Sequence, residues 1–157
     1  MEAVVAPGAD EQALSILANK KNLRLLTVES SRDDEGEYRI HRISGGILLQ
    51  ENDNVLIGPE SRVVTRRQPS EVEYRDLLFA WRVVKHVKSN AIVLARSGVT
   101  LGVGAGQMSR VDSVRISIQK AGAGSKEEVL ASEGFFPFRD NVDEAGGGGI
   151  RGGIHTG

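Results

Sequence analysis

The chain has 157 residues, 39% hydrophobic and 26% charged, which fits one ordinary globular domain or a piece of a larger protein and excludes a wholly disordered chain. Lys and Arg number 20 against 21 Asp and Glu, a net charge of -1, so no bulk charge draws it to nucleic acid or to an anionic membrane. There is no cysteine, and His41, His86 and His155 are the only histidines. Disulfides, thiol nucleophiles and thiolate metal sites are therefore excluded, and no metal site is expected.

Met1 to Pro7 has no basic start and is cut short by Pro7, unlike a signal peptide, and the longest apolar run, Ala91 to Ala95, is far below the roughly 20 residues of a membrane span. A soluble cytoplasmic protein is expected. Asp10 reads as the N-cap of a helix to about Asn19, with Ala13, Leu14 and Leu17 on one face. Leu23 to Val28 reads as a buried strand, and Glu29 to Glu37, which lacks an apolar face, as a loop. Tyr38 to Ile43 and Ile47 to Gln50 are extended segments about Gly45-Gly46.

The second half is better patterned. Ser70 with Glu73 forms a capping box, and Leu77, Leu78, Trp81, Val84 and Val87 recur at spacings of three and four, which predicts a helix from Glu71 to about Val87. Ala91 to Ala95 and Val99 to Val103 then form strands joined through Ser97-Gly98. Ser109 caps a helix with Val111, Val114 and Ile118 as its buried stripe, and Gly122-Ala123-Gly124 ends it. Val129 to Ala131 is a short strand, and Asp140 caps a helix toward Ala145. Seven of the 19 glycines fall in the last 12 residues, Gly146 to Gly157. With few side chains to bury and much backbone entropy to lose, that tail is expected to be flexible.

Four features carry chemistry or its look-alikes. Gly102-Val103-Gly104-Ala105-Gly106 misses the G-x-G-x-x-G dinucleotide fingerprint because its third glycine comes one residue early, leaving a close-packed strand-to-helix turn or a ligand-facing loop ending at Arg110. Phe135, Phe136 and Phe138 are three of the four phenylalanines and crowd about Pro137, so they cannot all point inward. At least one is expected to line a pocket or an interface, with Asp140 beside it as a candidate buried carboxylate. Lys85-His86-Val87-Lys88 fits the negative end of a helix better than a nucleic-acid site or a general base. Asn90, at a strand entrance, must find partners in backbone or ligand.

Helices starting directly after strands, at Ser109 and Asp140, present free N–H groups to polar or anionic ligands. Zinc-dependent nucleoside deaminases place His or Cys ligands at two such starts, but here those places hold Gln107-Met108-Ser109-Arg110 and Pro137-Phe138-Arg139-Asp140, with neither Cys nor His among them, so no zinc is expected there. The stretches Phe79 to Arg96, Gly102 to Ser113 and Phe135-Phe136-Pro137-Phe138-Arg139-Asp140-Asn141 resemble the AICAR transformylase part of the bacterial bifunctional purine biosynthesis proteins. Looser likeness upstream rests on Lys20-Lys21-Asn22-Leu23-Arg24 and Gly45 to Gln50.

The resemblance implies an α/β fold, a three-layer cytidine-deaminase-like repeat with a mixed sheet flanked by helices and no zinc. It divides the chain into an approach segment (1–68), a second deaminase-like repeat (69–145) and the glycine-rich tail (146–157). The implied reaction transfers a formyl group from the cosubstrate 10-formyltetrahydrofolate to the 5-amino group of AICAR on the way to IMP. By the same resemblance Asn90 and Asp140 lie at the reacting centre, Arg110 and Phe135 meet the AICAR base, and Phe138, with Pro137 and Asn141, lies toward the folate. The family's catalytic Lys-His pair belongs to the first repeat, so Lys85-His86 takes no such role and the chain is expected to be inactive alone. Implied partners are AICAR, the folate, and a second copy or the missing part of the transformylase, with no nucleic acid and no membrane. The alternative is a stand-alone nucleotide-binding or dimerisation module without catalysis.

Overall fold

The computed structural model describes residues 2–28, 38–58, 61–122 and 126–156, so the expected loop from Glu29 to Glu37 lies outside the described residues. The chain divides into two units, Met1–Asn54 and Val55–Gly157.

In the first unit β1 (Ala3–Ala6) pairs in parallel with β2 (Arg24–Thr27) across helix α1 (Glu11–Ala18). Asp10 starts α1 as expected, its carboxylate accepting from Ala13 N at 2.7 Å. β3 (Tyr38–Ile43) and β4 (Gly46–Glu51) form an antiparallel hairpin turning at Gly45, whose φ of 80° suits a residue without Cβ. β1 was not expected, because a four-residue apolar run has no periodicity to read. Nor is β2 the buried strand the sequence predicts: no described residue of this unit is buried, and Leu26 and Val28 are about half exposed. A two-stranded sheet with one short helix has too little surface to enclose them.

The second unit is built on a sheet in the order β6-β5-β7-β8, where β5 is Ile92–Arg96, β6 Val99–Gly104, β7 Val129–Ser132 and β8 Gly152–His155. β5 runs antiparallel to both β6 and β7, and β8 is parallel to β7, giving a mixed sheet. Helix α2 (Glu71–Val84) covers one face, and α3 (Arg110–Ala121) with α4 (Asp140–Gly147) covers the other. The unit is thus the α/β, three-layer arrangement with a mixed sheet that the resemblance implies.

Period-two alternation along β5 sorts the core. Val93 and Ala95 join Leu77, Ala80 and Val84 of α2, whereas Ile92 and Leu94 join Val114 of α3 and Ala145 of α4. Each fully buried Val, Leu or Ile among these contributes about 1.5–3 kcal/mol. β5 reads as an uninterrupted apolar run because both its faces are covered. α2 starts with the expected capping box, Ser70 Oγ accepting from Glu73 N and Ser70 N donating to Glu73 Oε2. It stops at Val84, earlier than the hydrophobic spacing implied, and Val87 packs against the core from the turn that follows.

Two expectations hold only in part, for a physical reason. Of the stripe expected on α3, Val114 is buried and Ile118 packs against the core, but Ser113 and Ser117, rather than Val111, are the other buried residues. That face meets the glycines of β6: a Cβ on Gly102 would sit 2.0 Å from Ser117 O, and one on Gly104 2.0 Å from Ser113 O. The glycine-rich stretch is therefore a close-packed seam, and helix and strand approach so closely that only small side chains fit between them. The glycine-rich end is likewise not flexible throughout, because Gly152 to His155 pairs with Val129 to Ser132 as β8. Backbone hydrogen bonds to an open strand edge offset the entropy that composition alone counts against it.

Candidate functional site

One end of the sheet gathers the start of β5, the end of β6 and the end of β7. α3 runs back along β6, its Ser113 near Gly104 and its Ser117 near Gly102, which brings its first residue, Arg110, to that end. Ser109 holds the N-cap position without a side-chain cap hydrogen bond.

Asn90 and Arg110 meet there: Arg110 Nη2 donates to Asn90 Oδ1 at 2.9 Å. Asn90 Nδ2 donates to Gln107 O at 2.8 Å, so both ends of the amide are held and its orientation is fixed. Its backbone is fixed as well, since Ser113 Oγ donates to Asn90 O at 2.8 Å and Asn90 N to Gln107 O at 3.3 Å. Gly106 N donates to Lys88 O at 2.8 Å, extending the β5–β6 pairing into this approach.

Arg110 Nη1 donates to Ser132 Oγ at 3.0 Å and to Glu133 Oε2 at 2.9 Å. The other carboxylate oxygen, Oε1, accepts from Ser89 Oγ at 2.6 Å and Ala91 N at 2.8 Å. The ion pair is largely enclosed, with side chains 12% and 17% exposed. Burial pushes the Glu133 carboxyl up, but hydrogen bonds from Ser89, Arg110 and Ala91 outweigh it and hold the group below the ordinary carboxylate range. Gly134 completes the cradle, since a Cβ there would lie 2.6 Å from Arg110 Nη2.

Phe135, Pro137 and Phe138 follow on the segment leaving β7. Phe135 and Phe138 are 59% and 73% exposed, whereas Phe136 packs into the core beside Ile150, its ring 5.2 Å from that of His155. The cluster thus divides as its crowding required, one ring inward and two outward. Pro137 is exposed.

Asp140 is not the buried carboxylate the sequence offered as a candidate. It is exposed and is the first residue of α4, with Arg139 in the N-cap position. Its Oδ1 accepts from Asn141 N and Asn141 Nδ2, both at 2.7 Å. The start of α4 leaves this side chain in solvent while the next residue is buried, which the sequence pattern did not distinguish. Asn141 is 2% exposed, and its Nδ2 also reaches Phe138 O at 3.3 Å, so as placed it ties the turn together.

Reading residues singly missed Ser132, Glu133 and Ser89. The available signal was a carboxylate at a strand's end, one residue before the glycine and the phenylalanine cluster. Also missed was Glu128, which is 0% exposed, has no hydrogen-bond partner at either carboxylate oxygen, and is pushed upward by burial, with Arg96 opposing. It lies at the opposite end of β7 from Glu133. Among the described residues no group of three His, Cys, Asp or Glu is arranged to hold a metal ion, and no helix is long and apolar enough to cross a membrane.

The fold and site define an α/β protein with a charge-balanced polar site between strand ends and a helix start. The family model for the AICARFT/IMPCHase bienzyme matches residues 1–120. The bifunctional purine biosynthesis protein PurH of Anoxybacillus flavithermus is 52% identical over 151 residues, covering 96% of this chain and 30% of the relative. PurH proteins of Caldicellulosiruptor bescii and Synechococcus elongatus are 50% and 49% identical over 150 and 152 residues, each match covering 96% of this chain and 29% of the relative. The chain belongs to the AICARFT/IMPCHase bienzyme family, and it spans about 30% of the length of these relatives.

Proposed function

We propose that this chain is a segment of an AICAR transformylase, carrying part of the site that transfers a formyl group from 10-formyltetrahydrofolate to the 5-amino group of AICAR. The observation that carries the reading is the Asn90–Arg110 pair, fixed at 2.9 Å at the end of the sheet where α3 begins. An oriented amide and a guanidinium are suited to hold a carboxamide in register. A neutral aromatic amine is a poor nucleophile, so its reaction depends on orientation, proton removal and stabilisation of the developing oxyanion.

In this reading Asn90 and Arg110 orient the AICAR base and the exposed Phe135 ring stacks near it. Phe138 and Pro137 face the folate, with Asn141 holding their turn, and Asp140 stands at the reacting centre. Exposure of Phe135, Phe138 and Asp140 agrees with residues that meet ligand or partner. The exposed apolar side chains of β3 and β4, Ile40, Ile43, Ile47, Leu48 and Leu49, support association with a second copy or with the rest of the transformylase. Sedimentation is expected to show self-association, and a clean monomer at high concentration would count against it. The cytoplasm is the compartment of such a reaction.

The test is a formyl-transfer assay on this chain alone and mixed with the remainder of the transformylase, with titration of AICAR into the wild type and Arg110→Ala. Lacking the first-repeat Lys-His pair costs on the order of 10² to 10⁴ in rate, so the chain alone is expected to show no turnover and weak binding that Arg110→Ala abolishes. Turnover near that of a complete enzyme would refute the division of roles. Weak nucleotide binding that the remainder never converts to turnover would favour the alternative, a binding or dimerisation module.

A further inference from the structure

We infer that Glu133 is a positioning residue that, by balancing the charge of Arg110 and fixing Asn90 through it, makes this site select a neutral carboxamide over a carboxylate. The inference rests on the ligand reading above and adds a residue and a selectivity to it.

Glu133 ties three pieces of backbone together. Oε1 holds Ser89 and Ala91 on either side of Asn90, and Oε2 holds Arg110. An arginine commonly receives a carboxylate with two parallel N–H donors. Here Nη1 is already committed to Ser132 and Glu133, and Nη2 to Asn90. Three of the five guanidinium N–H donors are therefore already committed within the protein, Nη1 fully, so an incoming anion cannot use the Nη1–Nη2 end of the group. A carboxylate ligand would also bring a second negative charge to a largely enclosed pair that is already neutral.

Asn90 supplies the attractive half. After its contacts with Arg110 and Gln107 it retains one Oδ1 lone pair and one Nδ2 hydrogen. A primary carboxamide offers the matching donor and acceptor, and two amides so arranged pair through two hydrogen bonds. A carboxylate has no hydrogen to give Oδ1 and would set its own oxygen against that lone pair. The depressed titration of Glu133 is consistent with this balance, because the group is ionised at neutral pH.

The experiment compares wild type, Glu133→Gln and Glu133→Asp by titration with AICAR and with its 4-carboxylate analogue, together with side-chain NMR of Arg110 and Asn90. Wild type is expected to prefer AICAR by about tenfold or more, the scale of one charge-assisted hydrogen bond. Glu133→Gln should collapse that preference toward unity by strengthening the carboxylate, and should shift the Arg110 guanidinium and Asn90 Nδ2 resonances. Glu133→Asp, which keeps the charge, should retain most of the preference. A merely structural role would weaken both ligands alike and leave their ratio unchanged, and that result overturns the proposal, as do unmoved resonances in a folded Glu133→Gln. Failure of the ligand reading looks different: wild type binds neither compound, the selectivity falls with it, and shifted resonances still uphold the positioning role.

Discussion

Gly104→Ala tests the seam that delivers Arg110 to the site. The new Cβ would lie 2.0 Å from Ser113 O and 2.7 Å from Ser113 C and Cα, against about 3.4 Å for an ordinary contact. Those are backbone atoms of α3, so no flexible side-chain tip can swing away, and the helix must retreat by about 1.4 Å. Such overpacking costs about 1–3 kcal/mol. The same retreat stretches the Ser113–Asn90 hydrogen bond, now 2.8 Å, and the Arg110–Asn90 hydrogen bond, now 2.9 Å, adding about 1–2 kcal/mol. The expected loss is about 2–5 kcal/mol, or roughly 10–30 °C in Tm for a unit of this size. Urea and thermal unfolding followed by Trp81 fluorescence read it, since Trp81 lies on α2 in the same unit and its indole N–H is fixed on Leu56 O at 2.5 Å. Gly152→Ala is the control, because a Cβ there meets nothing within 4 Å, and it should stay within about 0.5 kcal/mol of wild type. If Gly104→Ala also stayed within that margin, the close approach of α3 to β6 would be wrong, and with it the account of why the stretch is rich in glycine.

Glu128→Met should stabilise the chain by about 1–3 kcal/mol at pH 7, because it replaces an unpartnered buried carboxyl by an apolar side chain of similar length. Burial raises this carboxyl above its ordinary 4.5, so wild-type stability is fully present below that value and falls as pH rises through the folded one. The Met gain must therefore grow with pH, and a gain independent of pH in urea melts would contradict the assignment. Asp76→Ala should cost about 1–3 kcal/mol, since it strips the acceptor from Ser97 N at 2.8 Å and Gly98 N at 3.0 Å in the β5–β6 turn. Loss of hydrogen-exchange protection confined to that turn would identify the cause. Hydrogen bonds from Arg67 and from Ser70 N lower Glu73 from 4.5 to about 2. Its stabilisation should be present above about 4.5 and lost as pH falls toward 2, and Glu73→Gln should flatten acid unfolding in that window. The effect should be small, because the Arg67 side chain is more than half exposed.

Local chemistry was legible in the sequence wherever one segment sufficed to specify it. The Ser70–Glu73 capping box, the Asp10 cap and the apolar run of β5 needed no distant partner to be read, because caps and period-two or period-3.6 patterns depend only on near neighbours. Asn90 and Arg110 stood out singly, a polar amide at a strand entrance and a cation at a helix start. The resemblance placed both at one site, but the residues themselves did not show the direct contact between them, or the part of Glu133, which accepts from Ser89 and Ala91 on either side of Asn90 only because β5 and β7 are neighbours. The same holds for α3, which buries Ser113 and Ser117 beside the expected Val114, since Gly102 and Gly104 on another element set how near it lies. β8 is the extreme case: four residues, two of them glycine, form a strand because β7 presents an unpaired edge. Hydrophobic periodicity records what a segment prefers by itself, whereas strand pairing, close approach and burial of charge depend on surfaces supplied by residues far along the chain, and only the folded structure brings those surfaces together.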